Sequence, residues 1–121
     1  MPAHAHPEVD PAVQAYIDKI GPKHRPLFDR LHRLIVITHP DVSVGLSYRM
    51  PVFKLGDRRL YVGVWSHGLS VYGWPQGSET AFVSRHPELK ASKGTIRLGL
   101  KDVKAITDED LLLLVDAALG S

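Results

Sequence analysis

Leu60-Tyr61-Val62-Gly63-Val64-Trp65-Ser66-His67-Gly68-Leu69-Ser70-Val71-Tyr72-Gly73-Trp74 is the stretch that decides the fold. Strand-forming residues recur at a period of two on either side of Ser66-His67-Gly68, so the stretch reads as two antiparallel strands joined by a tight turn. Alternation then sets the faces. Leu60, Val62, Val64, Leu69 and Val71 point one way, and Tyr61, Trp65, Ser70, Tyr72 and Trp74 point the other. The aliphatic side requires a helical layer to bury it. The aromatic side has no cover assigned to it, and function is sought there.

Upstream, Leu55-Gly56-Asp57 marks another turn, and the period of two extends the hairpin into a meander over residues 44–74. Pro51 cannot donate to a ladder, which puts it at the start of a strand or at a break between Tyr48 and Phe53. Before the meander the period changes to that of a helix. Asp10 and Pro11 are a cap and a first-turn residue, and Val13, Tyr16, Ile17 and Ile20 form a stripe that stops at Gly21-Pro22, predicting a first helix over about 11–20. From Pro26, the stripe Leu27, Leu31, Leu34, Ile35 and Thr38, widened by Phe28, predicts a second helix that His39-Pro40 ends.

Downstream, Ser78 to Arg85 reads as a short helix. Thr95 to Leu100 reads as a last strand with Ile96, Leu98 and Leu100 on one face. Thr107 followed by Asp108, Glu109 and Asp110 opens a closing helix that runs to Leu119 and ends at Gly120. The fold class that follows is α+β: two N-terminal helices, an antiparallel sheet of about five strands, a short helix and a C-terminal helix, with the helices on one face.

At 121 residues the chain has the length of one domain with one core. Its 44% hydrophobic and 23% charged residues exclude disorder as the general state. Residues 1–9 are expected to be a flexible lead, because Pro2 and Pro7 break helix and little there is apolar. Residues 10–121 then form the single domain. The start lacks the apolar core of a signal peptide, and the longest apolar run, Leu111 to Val115, is too short to span a bilayer, so a cytoplasmic protein without membrane contact is expected. With no cysteine, disulfides, thiolate metal sites and Cys nucleophiles are excluded together. Fifteen Lys and Arg against thirteen Asp and Glu give a net charge of +2. The bases are scattered from Lys19 to Lys104 and form no run of the kind nucleic-acid binders carry.

Catalytic motifs are missing from this pattern. There is no Gly-x-Ser-x-Gly elbow and no His-Glu-x-x-His pair, and the side chains of adjacent Ser66 and His67 diverge in a turn. Ser92-Lys93-Gly94-Thr95 holds the residue types of a phosphate loop in another order, and a loop leading into a strand is the plainer reading. His4 and His6, with Glu8 and Asp10, offer nitrogen and oxygen ligands but lie on the flexible lead. Asp18, Asp29 and Asp41 are interrupted by Lys19, Lys23, Arg25, Arg30 and Arg33, which reads as helix caps and surface charge. His24 and His32 read as solvated partners of nearby charge. The reading is therefore non-enzymatic, and it rests on the aromatic face. Docking of a protein partner or self-association comes first, covering by the chain itself second, and stacking of single-stranded nucleic acid last.

Two segments carry a family likeness. Leu46-Ser47-Tyr48-Arg49-Met50-Pro51-Val52-Phe53 and Lys90-Ala91-Ser92-Lys93-Gly94-Thr95-Ile96-Arg97 resemble the signatures of the YdhG-like family, and the order of elements agrees over about residues 10–119. That family is similar to frataxin in fold, and some members are regarded as intracellular iron chaperones. The resemblance thus implies ferrous iron binding through surface carboxylates, which the interspersed bases would make weak, and docking on a scaffold protein through the sheet, where a surface Trp takes part in frataxins. The binding residues expected on these grounds are Tyr48, Met50, Pro51, Tyr61, Trp65, Tyr72, Trp74, Lys93 and Arg97. The alternative is a small-ligand or single-stranded nucleic-acid binding module that uses Lys93, Arg97 and the same rings.

Overall fold

The helix signals at the N-terminus are realised as capped helices. In the computed structural model, which describes residues 10–75, 77–92 (of 90–92 the backbone) and 94–120, Asp10 Oδ1 accepts from the Ala12 N–H at 2.8 Å and opens α1, Pro11–Asp18. Val13 and Ile17 are its buried face. The helix stops two residues before Ile20, short of the expected end. The second helix, α2, covers Arg25–Thr38 and buries Leu27, Phe28, Leu31, Leu34 and Ile35. Thr38 is not part of that stripe: it is exposed, and its hydroxyl donates to the Leu34 carbonyl at 2.8 Å.

The meander follows as β1 Ser43–Ser47, β2 Met50–Leu55, β3 Arg58–Trp65 and β4 Gly68–Tyr72. After α3, Thr80–Arg85, and a 3-10 turn at Pro87–Leu89 come β5 Lys90–Ser92, β6 Thr95–Gly99 and a longer 3-10 segment, Leu100–Ala105. The closing helix is α4, Asp108–Leu119. All pairings are antiparallel, in the order β1-β2-β3-β4-β6-β5. The sheet is the expected antiparallel one, and its sixth strand is the three-residue β5, which pairs irregularly with β6. So short a strand has no period to read. Leu100, expected in the last strand, instead begins the 3-10 segment.

One face of this sheet meets the helices. Phe53, Leu60, Val62, Leu69, Val71, Ile96 and Leu98 share a buried cluster with Val13, Leu31, Ile35, Phe82, Leu111 and Val115, and Val64 packs at its edge half-buried. At Gly68 the backbone of β4 comes so close to β6 that a Cβ would stand 2.0 Å from the Leu98 carbonyl oxygen, so only glycine fits. The architecture is α+β. No helix among the described residues is long and apolar enough to cross a membrane. The expected N-terminal lead, with His4, His6 and Glu8, lies outside the described residues, as does Lys93.

Candidate interaction face and cleft

Register fixes what stands on the other face of the sheet. Val52 pairs with Tyr61 and Tyr61 with Tyr72, while Lys54 pairs with Arg59 and Ser70 with Arg97. All of these alternate with residues of the helix-side core, so they face away from the helices. The strand positions of this face therefore carry three rings, Tyr61, Trp65 and Tyr72, and three cations, Lys54, Arg59 and Arg97, over a floor of Gly45, Gly63 and Ser70. No Asp or Glu occupies any of its described strand positions.

The rings gather at two ends. Tyr61 and Tyr72 are stacked, with centroids 4.8 Å apart and planes 7° from parallel, and Tyr48 tilts against Tyr61 at 6.5 Å. The Tyr72 hydroxyl lies 3.6 Å from Met50 Sδ, and the same sulfur would stand 3.6 Å from a Cβ on Gly63, so Met50 lies over the glycine. Burial, then the neighbouring phenols of Tyr61 and Tyr48, raises the Tyr72 pKa above its ordinary value. Tyr48 itself is 81% exposed. It occupies a two-residue hairpin turn with Arg49, and both have positive φ, 52° and 63°. That is the φ pattern of a type I′ turn, which ordinarily takes Asn-Gly. Two bulky residues there store backbone strain and present both side chains at the rim of the face.

At the other end, along β3, Trp65 lies beneath Arg97, whose guanidinium carbon is 4.9 Å from the ring centroid, and His67 meets the ring edge-on at 5.1 Å. His24 is no solvated partner of charge: its Nε2 stands 2.7 Å from the Trp65 carbonyl oxygen and ties the α1–α2 connection to the end of β3. The ring of His32 packs against Phe28 and Phe53. Beside Trp65 opens a cleft of about 720 Å³ that also draws on Lys23, Lys101, Leu89 and Leu100.

Two expected site residues do not lie on this face. Trp74 is buried, 6% exposed, within the helix-side core. Strand alternation, which would have placed it beside Tyr72, ends at Tyr72, and Gly73 with φ +124° turns the chain so that the next side chain goes to the opposite side. Pro51 is also buried, opposite Leu46 and in phase with Phe53, so it belongs to the side of the helices. On this face Tyr48, Met50, Tyr61 and Tyr72 are brought together at one end, and Trp65 and Arg97 at the other. The cleft-lining Lys23 and Lys101 were missed by sequence reasoning. Each is an ordinary surface base in its own segment, and only the fold brings them beside Trp65.

Among the described residues no three of His, Asp and Glu are grouped so as to hold a metal ion. No family model, curated protein or solved structure matches this chain.

Proposed function

We propose that this chain is a non-catalytic docking domain, of the YdhG-like kind its motifs resemble, whose open sheet face binds an acidic protein surface. The observation that carries the reading is the composition of that face: its described strand positions hold rings and cations and no carboxylate, and Asp102 of the 3-10 segment reaches only its edge, at Gly99. Aromatic and Arg side chains concentrated on one surface supply anchors for a protein interface, and one sign of charge steers a partner of the opposite sign. A second copy of the same face would bring like charges together, which disfavours face-to-face self-association.

Base stacking is less well supported. Tyr61 and Tyr72 occupy each other's faces, and Arg97 covers the face of Trp65, so a base has fewer open ring planes than a single-strand platform requires. Iron, the cargo that the resemblance implies, belongs to the proposal as a weakly held surface ion. Asp29 is paired with Arg25 at 2.9 Å and Asp18 accepts from Gln14, so the carboxylates of the first two helices are dispersed and partly engaged.

The test is fluorescence anisotropy with a labelled acidic peptide and a labelled single-stranded oligonucleotide, each over a range of salt. The peptide is expected to bind and to lose about tenfold or more in affinity in Arg59→Glu and Lys54→Glu. Tighter binding of the oligonucleotide, sensitive to the same substitutions, would replace the reading with a nucleic-acid one.

A further inference from the structure

We propose that the cleft beside Trp65 is a separate binding site for a small organic anion, a carboxylate or phosphate head joined to an apolar or aromatic body. The inference does not rest on partner docking, although Arg97 serves both surfaces. Its size is the first argument: about 720 Å³ lies within the range of small-molecule sites.

Charge is the second. Lys23 from the α1–α2 connection, Arg97 from β6 and Lys101 from the 3-10 segment converge on one opening. None of the three makes an ion pair or a side-chain hydrogen bond among the described residues. By contrast, Arg25, Arg30 and Arg85 on the helices each pair with a carboxylate, at 2.9, 2.6 and 2.6 Å. Two carboxylates, Glu88 and Asp102, also line the cleft, which leaves the three bases a surplus of one positive charge. Glu88 stands 3.5 Å from His86 Nδ1, and Asp102 Oδ2 lies against Gly99, 2.7 Å from where a Cβ would be.

Geometry is the third. The Arg97 guanidinium lies over Trp65 with its carbon 4.9 Å from the ring centroid, and a guanidinium's planar fork matches the two oxygens of a carboxylate or phosphate. Leu89, Leu100 and the edge of His67 supply an apolar wall for the ligand's body. Trp65, which lines the cleft, has a buried Nε1–H donor with no hydrogen-bond partner. A bare inorganic anion would use the cations and leave the wall empty.

The experiment is a titration followed by the Trp65 indole N–H and the His67 and Arg97 amides in two-dimensional NMR. The probes are an aromatic carboxylate, its neutral amide, a nucleoside monophosphate and inorganic phosphate. Saturable shifts are expected with at least one organic anion, about tenfold weaker with inorganic phosphate, and absent with the amide. Arg97→Ala and Lys101→Ala should each weaken binding about tenfold, and Arg97→Lys should fail to restore it, because the charge returns without the fork. Lys54→Glu, outside the cleft, should leave it unchanged, which separates this result from the fate of the docking proposal. The inference is overturned if no probe saturates at millimolar concentration. It is equally overturned if inorganic phosphate matches the organic anions, or if Arg97→Ala binds as the parent does.

Discussion

At Gly73 a Cβ would stand 2.5 Å from the Arg59 carbonyl oxygen, and φ is +124°, so the residue must be glycine and the strand cannot continue its pleat beyond it. The two tryptophans are thereby given opposite environments. Trp74 lies in the core and Trp65 is half-buried beside the cleft. Trp74→Ala should then cost about 3–5 kcal/mol, the range for deleting a buried large aromatic. Trp65→Ala should cost about 1 kcal/mol or less. Denaturant titration of the two variants checks the pair, and equal costs would mean that the faces have been misassigned. Trp74→Phe, which keeps most of the ring and removes an Nε1–H that has no partner, should fall between the parent and Trp74→Ala. The faces of Leu60 to Tyr72 were legible from the sequence because alternation is a local rule. Trp74 was not, because a glycine inside an alternating run looks the same whether the pleat passes through it or ends there.

The joint between α3 and α4 shows how one residue serves two elements. Asp110 accepts from the Thr107 N–H while its own N–H donates to the Thr107 hydroxyl, a capping box that opens α4. Its carboxylate also receives His86 Nε2 at 2.6 Å from the end of α3, with Arg85 Nε 2.6 Å from the second oxygen. Burial alone would raise the Asp110 pKa. The hydrogen bonds from His86 and Thr107 and the charges of Arg85 and His86 outweigh it and hold the carboxyl below its ordinary value. A lowered folded-state pKa contributes stability that is present above the unfolded value, about 3.9, and is lost as pH falls through the folded one. Asp110→Ala should therefore cost about 1–3 kcal/mol at neutral pH, as a lost cap with buried partners left unsatisfied, and its stability should fall less steeply below about pH 4 than that of the parent. Thermal midpoints across pH check both; parallel acid limbs would show that Asp110 is not the titrating group. Thr107-Asp108-Glu109-Asp110 could be read as a helix start because caps are written in adjacent residues. The tie to His86, 24 residues away, and the 3-10 segment at Leu100–Ala105 have no such local signal.

Over the whole molecule, the two faces of the sheet divide the work: one is joined to every helix, and the other carries the candidate sites. Val13 and Ile17 of α1, Leu27 to Ile35 of α2, Phe82 of α3 and Leu111 to Leu119 of α4 lie in the same cluster as the inward residues of β2, β3, β4 and β6. His39 Nε2 at the end of α2 meets the Gly120 carbonyl oxygen, 2.5 Å away, closing the last helix onto the second. No helix has a core of its own, so none should unfold ahead of the rest, and a domain of this size should unfold in one step. The buried hydrophobic cluster joins every helix to the sheet, so an ion held at the surface is expected to contribute little to the fold. Urea unfolding followed by the fluorescence of Trp74 in a Trp65→Phe background, and separately by far-ultraviolet circular dichroism, should give coincident transitions. Prior treatment with a chelator should leave their midpoint unchanged. An earlier transition by either probe would divide the core that the packing joins, and a midpoint that falls on chelation would place a structural metal where the dispersed carboxylates give none.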